Sequence, residues 1–227
     1  MILDYLKSIL IFKDLDDRSL RGIQHFVSAK VYRAGEYILD RNSGTNLVMA
    51  LCSGLVRVTL VTPQGKEMVI RDVKVGEVFG DWSAIDGQQR SASVVAIKDS
   101  VVALISQEDF RTLVTHNPMI ALRQMQELTR QLRGMTWRLT EFAALKASVR
   151  IQSVLLDFAM TTTDGLLIEK MVSHQEIAAR AYTQREVVAR ELANLQHRGV
   201  IVKRGDGYFI PQPEELDIIK MKNKSEI

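Results

Sequence analysis

Between Met125 and Phe142 the apolar positions fall in alternating steps of three and four: Met125, Leu128, Leu132, Met135, Leu139 and Phe142. Steps of that size keep one stripe on one face of a helix, and a 3.5-residue period favours a partner helix over a broad core. Ala121 extends the stripe backwards, and Lys146 occupies the next seam position, where a charge is costly and the seam should stop. The spacing predicts a symmetric homodimer zipped along this helix; the alternative is a helix packed only on its own domain.

On either side the texture differs. Residues 1–27 read as short amphipathic helices with Leu15, Leu20, Ile23 and Phe26 on one face. From Val31 to Ile105 short β-branched runs are punctuated by Gly35, Gly44, Gly54, Gly65, Gly76 and Gly87. Strands are expected at Val31–Tyr32, Tyr37–Leu39, Leu47–Leu51, Leu55–Val61, Met68–Val73, Val78–Phe79, Ala92–Ile97 and Val101–Ile105, with Pro63-Gln64-Gly65 as a hairpin turn. Strands this short and regular predict an antiparallel barrel or jelly roll. Ser106 caps a helix to about Thr115, and Asn117-Pro118 opens the seam helix. Ser148 is expected to cap a further helix carrying Ile151, Val154, Leu155, Phe158 and Ala159, and Thr161–Gly165 reads as a turn.

Two capping boxes follow, Ser173 to Glu176 and Thr183 to Glu186. They start ten residues apart, so the first helix is short and Ala181-Tyr182 must be a tight corner. The second helix runs to about His197, and Val200–Val202 with Tyr208–Ile210 reads as a hairpin. Two short capped helices and a hairpin make a winged helix-turn-helix. The expected α+β chain thus has a barrel domain over 1–116, a dimerisation helix over 117–146 and a winged helix-turn-helix over 147–227, hinged at Lys146–Ser148.

Composition narrows the class. The chain has 227 residues, 46% hydrophobic and 25% charged, with a net charge of +3. That composition suits a globular protein able to build real cores. Its one cysteine, Cys52, excludes an internal disulfide framework and any four-cysteine metal or iron–sulfur site, and its apolar surroundings predict a core position. No cleavable signal pattern and no membrane-length apolar run is visible, so a cytoplasmic protein with no membrane partner is expected. No nucleophile–base pair, metal-ligand cluster or phosphate-binding glycine loop of nucleotide hydrolases is present, so no enzyme is expected.

The winged motif would enter the major groove with Gln184, Arg185, Glu186 and, a turn later, Arg190. Arginine can donate two hydrogen bonds to guanine O6 and N7, and glutamate can accept one from the cytosine amino group. Lys203 and Arg204 at the hairpin tip suit phosphates. The alternative is that Glu186 and Arg190 form a surface ion pair one turn apart. In the barrel, Gly80 permits close backbone approach and Asp81 can accept hydrogen bonds from hydroxyls. Arg90 with Ser91 opens a small-residue stretch suited to an anion. An Asp81–Arg90 ion pair trimming a loop is the alternative there.

Phe79-Gly80-Asp81, Arg90-Ser91-Ala92, Arg150-Ile151, Gln175-Glu176-Ile177 and Arg185-Glu186 with Arg190 together resemble the catabolite activator/fumarate-nitrate regulator (CRP/FNR) family of bacterial transcription factors. The resemblance runs over essentially the whole chain. It implies a cyclic-nucleotide-binding barrel in which Gly80 and Asp81 meet the ribose 2′-hydroxyl while Arg90 and Ser91 meet the cyclic phosphate. It also implies that Arg185, Glu186 and Arg190 read TGTGA-like half-sites of a palindrome, with RNA polymerase as a further partner. Three departures stand out. Asp81 replaces the usual glutamate. Met135 replaces the base-contacting threonine, leaving Thr136 as the neighbouring hydroxyl. Tyr182 stands at a corner usually held by glycine. Cyclic AMP is the first candidate effector, cyclic GMP the second, and no nucleotide the third. A regulatory subunit that binds cyclic nucleotides but not DNA is the rival outside this class.

Overall fold

In the computed structural model, the described residues are 2–42, 44–62, 65 and 67–218. Pro63 and Gln64 of the expected hairpin turn lie outside them, as do residues 219–227. The chain divides into two compact units, with the boundary along the chain between Arg133 and Gly134.

The first unit begins with α1 (Ile2–Ser8) and α2 (Asp17–Ile23). Asp16 caps α2 by accepting a hydrogen bond from the Ser19 amide at 2.7 Å. Eight strands follow: β1 (Val27–Tyr32), β2 (Tyr37–Leu39), β3 (Leu47–Ser53), β4 (Val56–Val61), β5 (Glu67–Val73), β6 (Val78–Phe79), β7 (Ser93–Ala96) and β8 (Ser100–Ser106). Each coincides with an expected run to within a few residues at either end. They form two four-stranded sheets, ordered β1-β8-β3-β6 and β2-β7-β4-β5, with antiparallel pairs throughout. The arrangement is that of a jelly roll rather than a barrel closed by continuous backbone pairing.

β3 explains why its sequence is uniformly apolar instead of alternating. Met49 and Leu51 face a core shared with Leu39, Val56, Val73, Phe79 and Val94, whereas Val48 and Ala50 face Leu6, Phe12, Leu20, Phe110 and Ile120. Both faces are covered, so every position must be apolar. Cys52 lies buried at the end of this strand with a free thiol, whose pKa burial pushes up.

Between β6 and β7 lies the short α3 (Trp82–Asp86), and after β8 comes α4 (Gln107–His116). Ser106 caps α4, accepting from the Asp109 amide at 3.0 Å. Asn117 then caps α5 (Pro118–Ala144), accepting from the amides of Met119 and Ile120 at 3.1 and 3.3 Å.

α5 runs past Arg133 into the second unit. There α6 (Ala147–Asp157), β9 (Met160–Thr162), β10 (Gly165–Ile168), α7 (His174–Arg180), α8 (Arg185–His197), β11 (Val202–Arg204) and β12 (Gly207–Ile210) follow in order. Lys146, not Ser148, occupies the position before α6 and offers no side-chain cap; Ser148 lies inside the helix. The expected turn at Thr161–Gly165 is the tip of a hairpin, and the sheet order β11-β12-β10-β9 joins two hairpins into one sheet. Ile151, Leu155, Ile168, Ile177, Val188, Leu192, Leu195 and Ile210 fill the core. Gln152, fully buried, binds α8 to the following chain: its Nε2 donates to Glu191 at 2.8 Å and its Oε1 accepts from the Asp217 amide at 2.8 Å.

Candidate functional site

In the first unit, β6 delivers Gly80 in the left-handed region at φ +72°. A Cβ added there would stand 3.0 Å from Arg90 Nη1 and 3.1 Å from both Leu39 Cδ1 and Met49 Cε. Glycine is therefore required twice over, for the turn and for the approach. Asp81 follows at the start of α3, only 3% exposed. Its Oδ2 accepts from Gln124 Nε2 of α5. Loss of water raises the Asp81 pKa, an effect that its hydrogen bonds only partly oppose.

Arg90 is 7% exposed. Its Nη1 donates to Gly80 O at 2.6 Å and Ser83 Oγ at 2.7 Å, and its Nη2 donates to Thr45 O and Leu47 O, both at 2.6 Å. Four of the five N–H groups of a guanidinium are thus engaged by neutral oxygens. Burial lowers the Arg90 pKa, with the charge of Asp81 acting against that shift. Among the described residues no ion pair joins Asp81 to Arg90: each has other partners. Ser91, next along the chain, is exposed. Thr136 is exposed on the part of α5 that belongs to the second unit.

α5 is inverted with respect to ordinary amphipathicity. Toward its own unit it buries Ile120, Gln124, Glu127 and Gln131, three of them polar. Glu127 binds Arg130 Nε at 2.9 Å and Gln131 Nε2 at 3.2 Å, and Arg130 also reaches Glu77 at 2.6 Å. The Arg130 hydrogen bond is the main reason the Glu127 pKa is lowered. Gln124 Oε1 is buried without a hydrogen-bond partner among the described residues. Meanwhile Leu132 and Leu139 are 64% and 67% exposed, Met125 and Phe142 are exposed, and Leu128 and Met135 are half-buried. The polar stripe was missed from sequence because the apolar stripe dominated the period, although Gln124, Glu127 and Gln131 show the same steps of three and four.

In the second unit, Ser173 caps α7 by accepting from the Glu176 amide at 3.1 Å. Tyr182 takes the corner at φ +50°, the conformation a glycine would adopt more readily. Arg150 braces that corner, donating to Ala181 O at 2.9 Å and Tyr182 O at 3.3 Å, and to Leu145 O at 2.7 Å. The Tyr182 ring meets Phe142 edge-on with centroids 6.0 Å apart. α8 then starts at Arg185 with Gln184 before it, so Thr183 stands one residue too early and the second capping box does not form.

Val188, Leu192 and Leu195 fix α8 to the core, leaving Gln184, Arg185, Glu186 and Arg190 exposed. Among the described residues, Glu186 and Arg190 make no ion pair with each other. Lys203 and Arg204 are exposed on β11, the Arg204 guanidinium lying 5.3 Å from the Phe209 ring centre. No group of three or more His, Cys, Asp or Glu among the described residues could hold a metal ion, and no helix is long and apolar enough to cross a membrane.

Residues 29–117 match the cyclic nucleotide-binding domain, and residues 149–218 match the Crp-like helix-turn-helix domain. The chain is 32% identical over 161 residues to the cAMP-activated global transcriptional regulator CRP of Pasteurella multocida, covering 68% of this chain and 76% of that one. The chain belongs to the CRP/FNR family. Another member, the cyclic AMP receptor protein of Thermus thermophilus, is 29% identical over 196 residues, covering 86% of this chain and 89% of the relative. Among solved structures, the c-di-GMP responsive global regulator CLP of Xanthomonas campestris superposes with a TM-score of 0.76 at 21% identity, covering 87% of this chain and all of that one. A CooA mutant from Carboxydothermus hydrogenoformans gives 0.71 at 21%, covering 94% and 97%. These two likenesses speak for the fold. As a CRP/FNR member, the chain is a DNA-binding transcription regulator with a cyclic nucleotide-binding domain, from a family of regulators rather than enzymes.

Proposed function

We propose that the protein acts as a homodimer that reads a palindrome of TGTGA-like half-sites under the control of a cyclic nucleotide, cyclic AMP first. One observation carries the DNA half of this reading. Arg185, Glu186 and Arg190 sit exposed on the first turns of a rigidly packed α8, and none of them is spent on an ion pair with another. Those groups match guanine and cytosine edges, with Gln184 beside them and Lys203 and Arg204 placed for phosphates. The outward apolar stripe from Met125 to Phe142 supports pairing of two copies, and two-fold symmetry then calls for half-sites about 34 Å apart. RNA polymerase is the expected onward partner.

The effector half rests on Gly80, Asp81, Arg90 and Ser91, with Thr136, next to Met135, as the hydroxyl offered to the base. Binding would exchange the Gln124 contact on Asp81 for a ribose hydroxyl and part of the Arg90 network for a phosphate. An effector shifts the equilibrium only by its differential affinity for the two states, and this exchange supplies one. The same contacts favour a second reading. Because Asp81 and Arg90 are already satisfied by the protein, the regulator would work without a nucleotide, or with cyclic GMP or another ligand.

Calorimetric titration of the full chain with cyclic AMP and cyclic GMP separates these readings. Saturable heat that disappears in Arg90→Ala and Asp81→Ala supports the effector assignment; heat unchanged in both overturns it. In a gel shift on a TGTGA palindrome, Arg185→Ala is expected to lose about 1–3 kcal/mol of base discrimination. Affinity should also fall steeply with salt. Binding without base preference in the unaltered protein would overturn the DNA reading.

A further inference from the structure

Beside the nucleotide cassette, and sharing Arg90 with it, the first unit carries a polar cavity of about 440 Å³ between the β2–β3 loop, the α3–β7 segment and α4. Arg41, Arg90 and Arg111 line it, together with the carboxamides of Asn46, Gln88 and Gln107. Among the described residues, no Asp or Glu lines it, and no aromatic ring. Asp81, Ser91, Gln124 and every residue of β4 and β5 are absent from its walls, so it opens on a different side of Arg90 from the acid assigned to ribose.

The guanidinium groups at this cavity are held by neutral partners. Arg90 binds four neutral oxygens, Arg111 Nε donates to the Ala84 carbonyl, and Arg41 is exposed. Among the described residues none of the three forms an ion pair. Arg90 alone of the three is buried, with the Asp81 charge acting on it from outside the cavity, while Arg41 and Arg111 are exposed; an anion in the cavity would supply a directly bonded counter-charge to all three. The wall is also pre-set: Ser83 Oγ accepts from both Arg90, at 2.7 Å, and Gln107 Nε2, at 3.1 Å. Carboxamides both donate and accept, which suits hydroxyl groups. Without an aromatic face there is nothing for a nucleobase to stack on. The volume lies at the small end of the range for ligand sites.

We propose that this cavity binds a small phosphorylated sugar or polyol, its phosphate between Arg41, Arg90 and Arg111 and its hydroxyls on the carboxamides. The occupant is an anion distinct from the cyclic nucleotide, and because both would lean on Arg90, it gives the sensing unit a second metabolic input.

Titration calorimetry of the full chain at low salt tests this with ribose 5-phosphate, ribose and inorganic phosphate as probes. Ribose 5-phosphate is expected to bind saturably, about tenfold more tightly than inorganic phosphate, and ribose not at all. Its affinity should fall about tenfold in Arg41→Ala, the loss of roughly one charge-assisted hydrogen bond, and should weaken as salt is raised. Arg41 is exposed and its substitution spares the fold. Asp81→Asn should leave ribose 5-phosphate binding intact while abolishing any cyclic AMP heat, and Arg41→Ala should weaken ribose 5-phosphate binding while leaving cyclic AMP heat unchanged. Failure of one reading is thus visible without the other. Ribose binding as well as its phosphate, or affinity indifferent to Arg41→Ala, overturns the proposal.

Discussion

Asp81 is a carboxyl without water, bonded through Oδ2 to an amide of α5. Its pKa is raised chiefly by desolvation, so the folded protein holds that proton more tightly than the unfolded chain does. The linkage then has a fixed sign. Stability contributed by this group falls as pH climbs from the ordinary value of 3.8 through the raised one, leaving a penalty at neutral pH. Asp81→Asn, which keeps an oxygen for Gln124, should unfold at higher denaturant than the parent at pH 7. The gap should close as the medium is acidified toward 3.8. A gap that stays constant with pH would show that Asp81 is not the titrating group. At this scale the sequence was only partly legible. Gly80, Asp81 and Arg90 stood out as chemistry, but their partners did not. Backbone carbonyls such as those of Thr45 and Leu47 bind Arg90 without leaving any mark in residue type. Tyr182 was conspicuous as a replacement for glycine, yet that it takes the glycine conformation depends on Arg150 and Phe142, which lie far away along the chain.

Helix starts show how finely an element can be read. Four hydroxyls stood in capping positions by sequence, and the structure uses Ser106 and Ser173 while passing over Ser148 and Thr183. Replacing Ser106 or Ser173 by alanine should therefore cost about 1 kcal/mol in chemical denaturation. Thr183→Ala should cost only a few tenths, since no amide depends on it. Equal losses at all four would contradict the assignment. Strands were legible wherever β-branched runs met glycine, and all eight of the first unit were foreseen. β9 and β10 were not: Thr161–Gly165 reads as a turn by itself, and Leu166-Leu167-Ile168 carries only one β-branched residue. The signal that was available is Asp164-Gly165, a pair favoured at tight hairpin turns. It closes the two strands, and Gly165 at φ +146° leaves no room for a Cβ beside the Ile210 carbonyl.

Across the whole molecule, the family and its fold were legible because motifs from end to end agreed on one architecture. What escaped were the polar inner stripe of α5, whose period is the same as that of the stronger apolar stripe, and the arginine cavity, which has no motif. If two copies pair along α5, the DNA they read is constrained by geometry as well as by letters. Inserting five base pairs between half-sites turns one of them to the opposite face of the duplex, about half of the ~10.5 base pairs per helical turn. Gel shifts on such a probe should fall to the affinity of a single half-site, whereas ten inserted base pairs should recover part of it. Equal affinity for all three spacings would speak against a rigid pair.

The outward leucines of α5 carry a genetic consequence as well. If copies pair through them, one that retains them but has lost Arg185 would go on recruiting intact copies. In a cell making both in equal amounts, random assortment would leave about a quarter of the assemblies with two working probes, since each of two positions is filled independently. Such an allele would be dominant over the normal one, and a second change of Leu132 or Leu139 to glutamate in the same chain would make it recessive.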